Sequence, residues 1–404
     1  VIERPYAVVL NGTLQLGLEL IIEAGQIVKI RPHTGLPGAY VLSAAFVNAH
    51  SHLEYRGLQD MLKAEEYFPW IREITEAKRS QMKEQVMADC ELAAQENHKT
   101  GIARIGEHSD RPFSAVALRD AGIDGILFQE LITFFERDSA SDKIASVKQR
   151  LQKQAAVFPG ESYLAPHTAY TVDATTLKTF KEGPPFSIHV AESKFENELF
   201  QSGTGPIADF YRANNMEPIV PGKTVVQTLQ DWGLTREGAQ FVHCCSINSE
   251  DVKILAASKV KVAHCPRSNA RLKCEPAPVR EMLDSGITVG LGLDSAASSG
   301  PIDMFAEMRA TLSVSTQRGK PTTGEETWRM ATCSESLPFQ NPEPIWDIYE
   351  GSRTPLIKLH LQGALTTDDL IERGKPEHVE WLQTDENSPS PAHLGGERDK
   401  RGEV

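Results

Sequence analysis

Two imidazoles one residue apart, His50 and His52 in "FVNAHSHLE", close a short apolar run. In an extended strand, residues i and i+2 project to the same face, so both rings can reach one ion. Two other segments offer matching chemistry: "SIHVAES" carries His189 and Glu192, and "GLGLDSAAS" carries Asp294. Three imidazoles and a carboxylate make a borderline N/O donor set suited to Zn²⁺ or Fe²⁺, with room for a water. The chain has 12 histidines, and His50, His52, His108, His167, His189, His243 and His264 all fall at or just beyond the end of a strand-like run. One such residue would need no functional explanation, but a set aligned on strand ends argues for a shared site.

The elements that must position these residues follow a repeating rhythm. Short apolar runs at 41–49, 101–107, 122–130, 162–166, 186–190, 239–243, 259–264 and 287–293 alternate with longer helical stretches such as 71–99 and 249–258. Eight strands in this alternation predict an α/β fold, a (β/α)8 TIM-like barrel whose site lies at the C-terminal ends of the strands. Residues 6–42 read instead as short β runs broken by Gly, Asn and Pro. The expected organisation is the N-terminal part of a small β-sandwich domain over 1–42 and the barrel over 43–320. The C-terminal segment 321–383 partly returns to the small domain through "TPLIKLHLQGAL" and "EHVEWLQ", and 384–404 has the composition of a disordered tail.

Composition excludes several partners. The 404 residues include 42 Lys and Arg against 55 Asp and Glu, a net charge of −13, which disfavours a nucleic-acid polymer. Six cysteines without CxxC pairs suggest reduced thiols. No apolar stretch approaches a membrane span, and "VIERPYAVVL" lacks a signal-peptide pattern. A cytoplasmic protein with no membrane partner is the expectation.

The ordered set "FVNAHSHLE", "APHTAYTVD", "SIHVAESKFE", "FVHC", "AHCPRSNARL" and "GLGLDSAAS" resembles the metal-dependent amidohydrolase superfamily, in its cytosine/adenosine-deaminase and chlorohydrolase branch, over about residues 5–310. That resemblance implies that His50, His52, His189 and Asp294 hold one divalent metal ion, Zn²⁺ by preference and Fe²⁺ as the alternative. The fourth strand ends in "LAPHTAY" with no lysine to bridge a second ion, so a mononuclear site is implied. By the same resemblance Glu192 relays a proton to a ring nitrogen and to departing ammonia, His243 orients the attacking water, and Asp294 can also accept a proton. His264 would either contact substrate or cap the seventh strand. The reaction implied is hydrolytic deamination of an amino-purine nucleoside.

"HSHLEYRG", "EYFPWIREI" and "CPRSN" are most similar to the branch that deaminates 6-amino-6-deoxyfutalosine in menaquinone biosynthesis. Deaminases of S-adenosylhomocysteine, methylthioadenosine or adenosine are the alternative, followed by guanine deaminases and chlorohydrolases. A metal-free binding protein on the same fold is the alternative of another class, and the joint presence of ligands and proton relay argues against it. Expected substrate contacts are Glu54, Trp70, His167 and Arg267, the last two as partners for a substrate carboxylate. Tyr67, Phe68 and Trp70 would either cover the substrate or pack a helix on the barrel. Relatives are often dimers, so a homodimer is expected by analogy.

Overall fold

The computed structural model describes residues 1–136, 140–341 and 343–383; the expected tail at 384–404 lies outside them. The chain builds a TIM-barrel-type core with a small β layer beside it. Eight parallel strands form the core: Phe46–Ser51, Ile102–Ser109, Asp124–Leu131, Glu161–Pro166, Phe186–Val190, Ala239–His243, Lys261–His264 and Val289–Leu291. The first four make one sheet and the last four another, each with strands adjacent in chain order. Single parallel bridges join the two sheets at both seams, Ser51 with Asp294 and Thr168 with His189. Helices follow the strands, as parallel pairing requires.

The predicted strand at 41–49 divides at Ala45. Val41–Ala44 pairs in a five-stranded sheet with Ala7–Leu10 and Leu356–Leu359, whereas Phe46–Ser51 enters the parallel core. Hydrogen bonding explains the break: the Ala45 amide donates to the Pro355 carbonyl at 2.8 Å, the Trp346 indole donates to the Ala45 carbonyl at 2.8 Å, and the next amide, Phe46, turns to Gly101. The five-stranded sheet is completed by Thr13–Leu16 and Val379–Trp381 at its edges, and a separate antiparallel sheet contains Ile2–Glu3, Leu18–Glu23 and Gln26–Pro32.

Residues beyond 320 pack against the core strands. The helix Gly324–Ala331 buries Trp328 against Phe46 and Phe305, with ring centroids 5.7 and 6.2 Å away, and the Trp328 indole donates to the Ser43 hydroxyl. The 3₁₀ turn Ser334–Ser336 and Leu337 then seat against the N-terminal ends of the strands. Gln240 donates to the Ser336 and Ala49 carbonyls and Lys261 donates to the Leu337 carbonyl. Small residues allow this approach, since a Cβ on Gly290 would meet the Ser336 hydroxyl at 2.1 Å. All six cysteines are free thiols, and among the described residues no helix is long and apolar enough to cross a membrane.

In the small layer, Glu19 has a fully buried side chain and accepts hydrogen bonds from Arg4, Arg31 and Thr34 at 2.7–3.1 Å. Burial by itself would raise its pKa; the Thr34 amide, Arg31, the Thr34 hydroxyl and Arg4 together outweigh that and bring it from about 4.5 to about 2. Because the folded-state value lies below the unfolded one, this contribution to stability is complete above about pH 4.5 and is lost as the pH falls toward 2. Glu19→Gln is therefore expected to lower the Tm at pH 7, with the gap to wild type narrowing by pH 3. Thermal melts at both pH values check this, and a gap that is constant or wider at pH 3 would refute the assignment.

Candidate functional site

The histidine pair sits where the first core strand meets the eighth. The Asp294 amide donates to the His50 carbonyl at 2.8 Å, and the Leu293 amide donates to Asn48 Oδ1 at 2.9 Å. Asn48 Nδ2 in turn donates to Asn97 Oδ1, anchoring the seam to the helix Lys83–Lys99. Just beyond His52 the Leu53 amide donates to Glu107, which also accepts from the Ser114 hydroxyl. Gly292 permits the closest approach: a Cβ there would lie 2.7 Å from His50 Cβ and 2.8 Å from Cys265 Sγ.

These stitches gather His50, His52 and His189, with ligand-capable atoms within 4.8 Å of one another, and bring His243 and Asp294 equally close to His50. His52 Nε2 and His189 Nε2 are 3.4 Å apart, and Asp294 Oδ1 lies 3.7 Å from His50 Nε2 and 3.9 Å from His52 Nε2. The tautomer of His189 follows from its outer partner. His189 Nδ1 donates to the His167 carbonyl at 3.0 Å, which turns the Nε2 lone pair inward. His50 Nδ1 meets His108 Nδ1 at 3.0 Å, while its Nε2 is buried with no hydrogen-bond partner. Burial and then the neighbouring imidazoles hold His50 and His52 well below the usual histidine pKa, so both are neutral donors of lone pairs. Neutral imidazoles, an orphaned inward nitrogen and one carboxylate fit a divalent cation of the Zn²⁺ or Fe²⁺ type.

Glu192 and His243 stand beside this cluster. Glu192 Oε2 lies 3.6 Å from His243 Nε2, and the Glu192 amide donates to Glu196 at 2.8 Å. Burial, followed by the Asp294 and Glu196 charges, raises Glu192 well above the usual carboxyl pKa. Burial lowers His243 to about 4, and its Nδ1 is held by Asn269 Oδ1 at 2.8 Å. The backbone is strained here, with positive φ at Ala191 (49°), His243 (72°), Cys244 (50°) and Asp294 (55°). For non-glycine residues such angles persist only where the surroundings enforce them.

The cluster forms the floor of a cavity of about 100 Å³ that opens to solvent, walled by Tyr55, Tyr67, Trp70, Lys78, Glu130 and His167 among others. Trp70 and His167 thus line it. Tyr67 reaches Tyr170 at 2.8 Å, and its helix, Tyr67–Ser80, lies across the cavity, so wall and packing surface are one element. Two expected contacts are elsewhere. Glu54 is buried below the wall, where its carboxylate accepts from the Asp110 and Arg111 amides at 3.0 Å. Arg267 is outside the lining, its guanidinium on the Pro301 carbonyl and near Glu307. A charged side chain near a motif in sequence was in each case satisfied by backbone or by a buried partner. His264 ends the seventh strand and lines a separate cavity with Pro266 and Asn269 rather than this one. Glu130 and Lys78 were not anticipated; Glu130 ends the expected run 122–130, "GIDGILFQE", and its position at a strand end was the available signal.

An amidohydrolase family model matches residues 41–333, from the small-layer strand through the helix that carries Trp328. The chain belongs to the amidohydrolase family. Among relatives of this amidohydrolase, the 5′-deoxyadenosine deaminase of Methanothrix thermoacetophila is 27% identical over 81% of this chain and 78% of that protein. The aminodeoxyfutalosine deaminase of Deinococcus radiodurans is 28% identical over 74% and 75%. The fold matches a zinc-bound adenosine deaminase from Xanthomonas campestris at a TM-score of 0.80, with 20% identity over 95% of this chain and 91% of that one.

The amidohydrolase depends on Gly292 for the approach of its eighth strand to His50. Gly292→Ala should cost about 1–3 kcal/mol through overpacking and should lower zinc retention after dialysis. Urea melts and metal analysis check both, and an unchanged midpoint with unchanged zinc content would show that the close approach is dispensable.

Proposed function

We propose that this amidohydrolase is a metal-dependent deaminase of adenine nucleosides, with 6-amino-6-deoxyfutalosine as the preferred substrate. One observation carries the deaminase reading: a buried carboxyl, Glu192, and a neutral imidazole, His243, 3.6 Å apart beside the His/Asp cluster on the cavity floor. His50, His52, His189 and Asp294 would hold one divalent ion, with Zn²⁺ favoured. When bound, such an ion supplies Lewis acidity that brings the pKa of water toward neutrality. Glu192 delivers a proton to the ring nitrogen next to the amine-bearing carbon, and His243 accepts a hydrogen bond from the attacking water. Glu192, having given up its proton, takes one from the water as the water oxygen bonds to that carbon; the carbon–nitrogen bond then breaks, ammonia leaves with the bonding pair and that proton, and the second proton of the former water returns to Glu192 as the carbonyl forms. In the same reading the two parallel sheets act as one closed (β/α)8 barrel and the small sheets as a β-sandwich.

The substrate choice is supported by a groove of about 680 Å³ that shares Ile71, Thr75, Ile132 and His167 with the catalytic cavity. Phe68, Phe134, Phe135 and Phe210 line it, and Arg72 stands on its wall. An apolar, aromatic annex with a cation suits a flat 5′-substituent ending in a carboxylate, and Arg72 takes the place expected of Arg267. The similarity to a 5′-deoxyadenosine deaminase favours a second reading, in which the annex stays empty and a small 5′-group is accepted.

Ammonia release by zinc-loaded protein separates the two. Turnover of aminodeoxyfutalosine at a kcat/KM at least about tenfold above that of 5′-deoxyadenosine, adenosine and S-adenosylhomocysteine is expected, the equivalent of about 1.4 kcal/mol in the transition state. A reversed order would retain the deaminase and discard this substrate. Glu192→Gln should retain zinc while losing about 10²–10⁴-fold in kcat, the range for removal of an acid–base group; near-normal turnover would refute the relay.

A further inference from the structure

The cavity wall contains a carboxyl group for which the reaction above has no use. Glu130, at the end of the third core strand, is 2% exposed, and its Oε1 has no hydrogen-bond partner. The nearby His189 Nδ1, 3.9 Å away, is already committed to the His167 carbonyl. Lys78, which lines the same cavity, is engaged by the Tyr55 hydroxyl and by Asp110 at 3.1 Å. A buried carboxyl oxygen without a donor is costly unless something that enters the cavity supplies one.

The neighbour that completes a ligand site is His167. An oxygen of Glu130 and a ring nitrogen of His167 lie within 4.8 Å of each other. His167 Nδ1 is taken by the Thr171 hydroxyl at 2.9 Å, which leaves Nε2 for other contacts. Two polar atoms at that separation can both be reached by one oxygen at ordinary hydrogen-bond distances of about 2.8 Å. A hydroxyl suits the pair because it donates and accepts through the same atom. An ammonium group suits it less, because the Lys78 cation already stands on the same wall.

We propose that Glu130 and His167 form a hydroxyl-binding site that grips the sugar of the nucleoside and so sets the distance between base and reaction centre. This inference rests on the nucleoside-deaminase reading and adds Glu130 as a specificity-determining residue. It also gives the groove its entrance: His167 and Ile132 belong to both cavities, so a sugar held there would lead its 5′-substituent into the annex.

The test compares each nucleoside that the zinc-loaded enzyme turns over with its 2′-deoxy and 3′-deoxy forms, in wild type, Glu130→Gln and Glu130→Ala. Wild type should lose at least about tenfold in kcat/KM when the gripped hydroxyl is removed. Both variants should lose about 10–100-fold on the intact nucleoside, chiefly through KM, while their discrimination against the deoxy form shrinks to about threefold or less. Zinc content should stay that of wild type. Calorimetric titration with the oxo-ring product nucleoside and its deoxy forms reads the same contact without turnover and should show the same loss of discrimination. Equal discrimination in wild type and variants overturns the inference and leaves the deaminase intact, as does a wild type indifferent to both hydroxyls, a result that needs no folded variant. A wild type that turns over no nucleoside defeats the deaminase reading and this inference together.

Discussion

Everything around the site follows from crowding neutral lone pairs and a carboxylate into a place without solvent. His52 Nε2 and His189 Nε2 face each other at 3.4 Å, with His50 Nε2 orphaned nearby and Asp294 within 4 Å of two of the rings. Burial holds the imidazoles neutral, so each ring keeps one nitrogen with a free lone pair, and a divalent metal ion is the partner able to take several such lone pairs and the carboxylate at once. The protein supplies the rigidity that holds these donors in place.

That rigidity is distributed over backbone and buried polar side chains. Asn48 ties the first strand to the eighth and to a surrounding helix, Glu107 pins the turn after His52, and His108 and the His167 carbonyl fix the outward nitrogens of His50 and His189. Left-handed angles at Ala191, His243, Cys244 and Asp294 re-aim the chain as it leaves the strands. At the opposite end, Ser336 and Leu337 fill the strand openings through bonds to Gln240 and Lys261, so packing and chemistry occupy different ends of the same strands.

The βα rhythm, the chemistry-bearing strand ends and the histidine pair were all readable locally, because period-two patterning and turn residues act over a few positions. The single strand expected at 41–49 was not separable into two, since the break at Ala45 comes from hydrogen bonds to Pro355 and Trp346, some 300 residues away. Glu54 and Arg267 do not line the cavity, for a similar reason. Both are charged and close to motifs in sequence, yet the loop at 110–111 and Glu307 claim them first. Glu130 had only its place at a strand end to mark it.

The sequence by itself carried the α/β alternation of a TIM-barrel-type fold, the histidines and aspartate that form a candidate metal cluster and the carboxyl proposed as a relay, because these depend on residue type and local period. Only the tertiary structure decided which charged side chains reach the cavity, that an apolar groove joins it through Ile132 and His167, and that Glu130 stands unpartnered on its wall. The physical reason is competition: a polar group is available to a ligand only when no backbone amide or buried counter-charge has satisfied it, and those competitors are brought in by folding from distant parts of the chain.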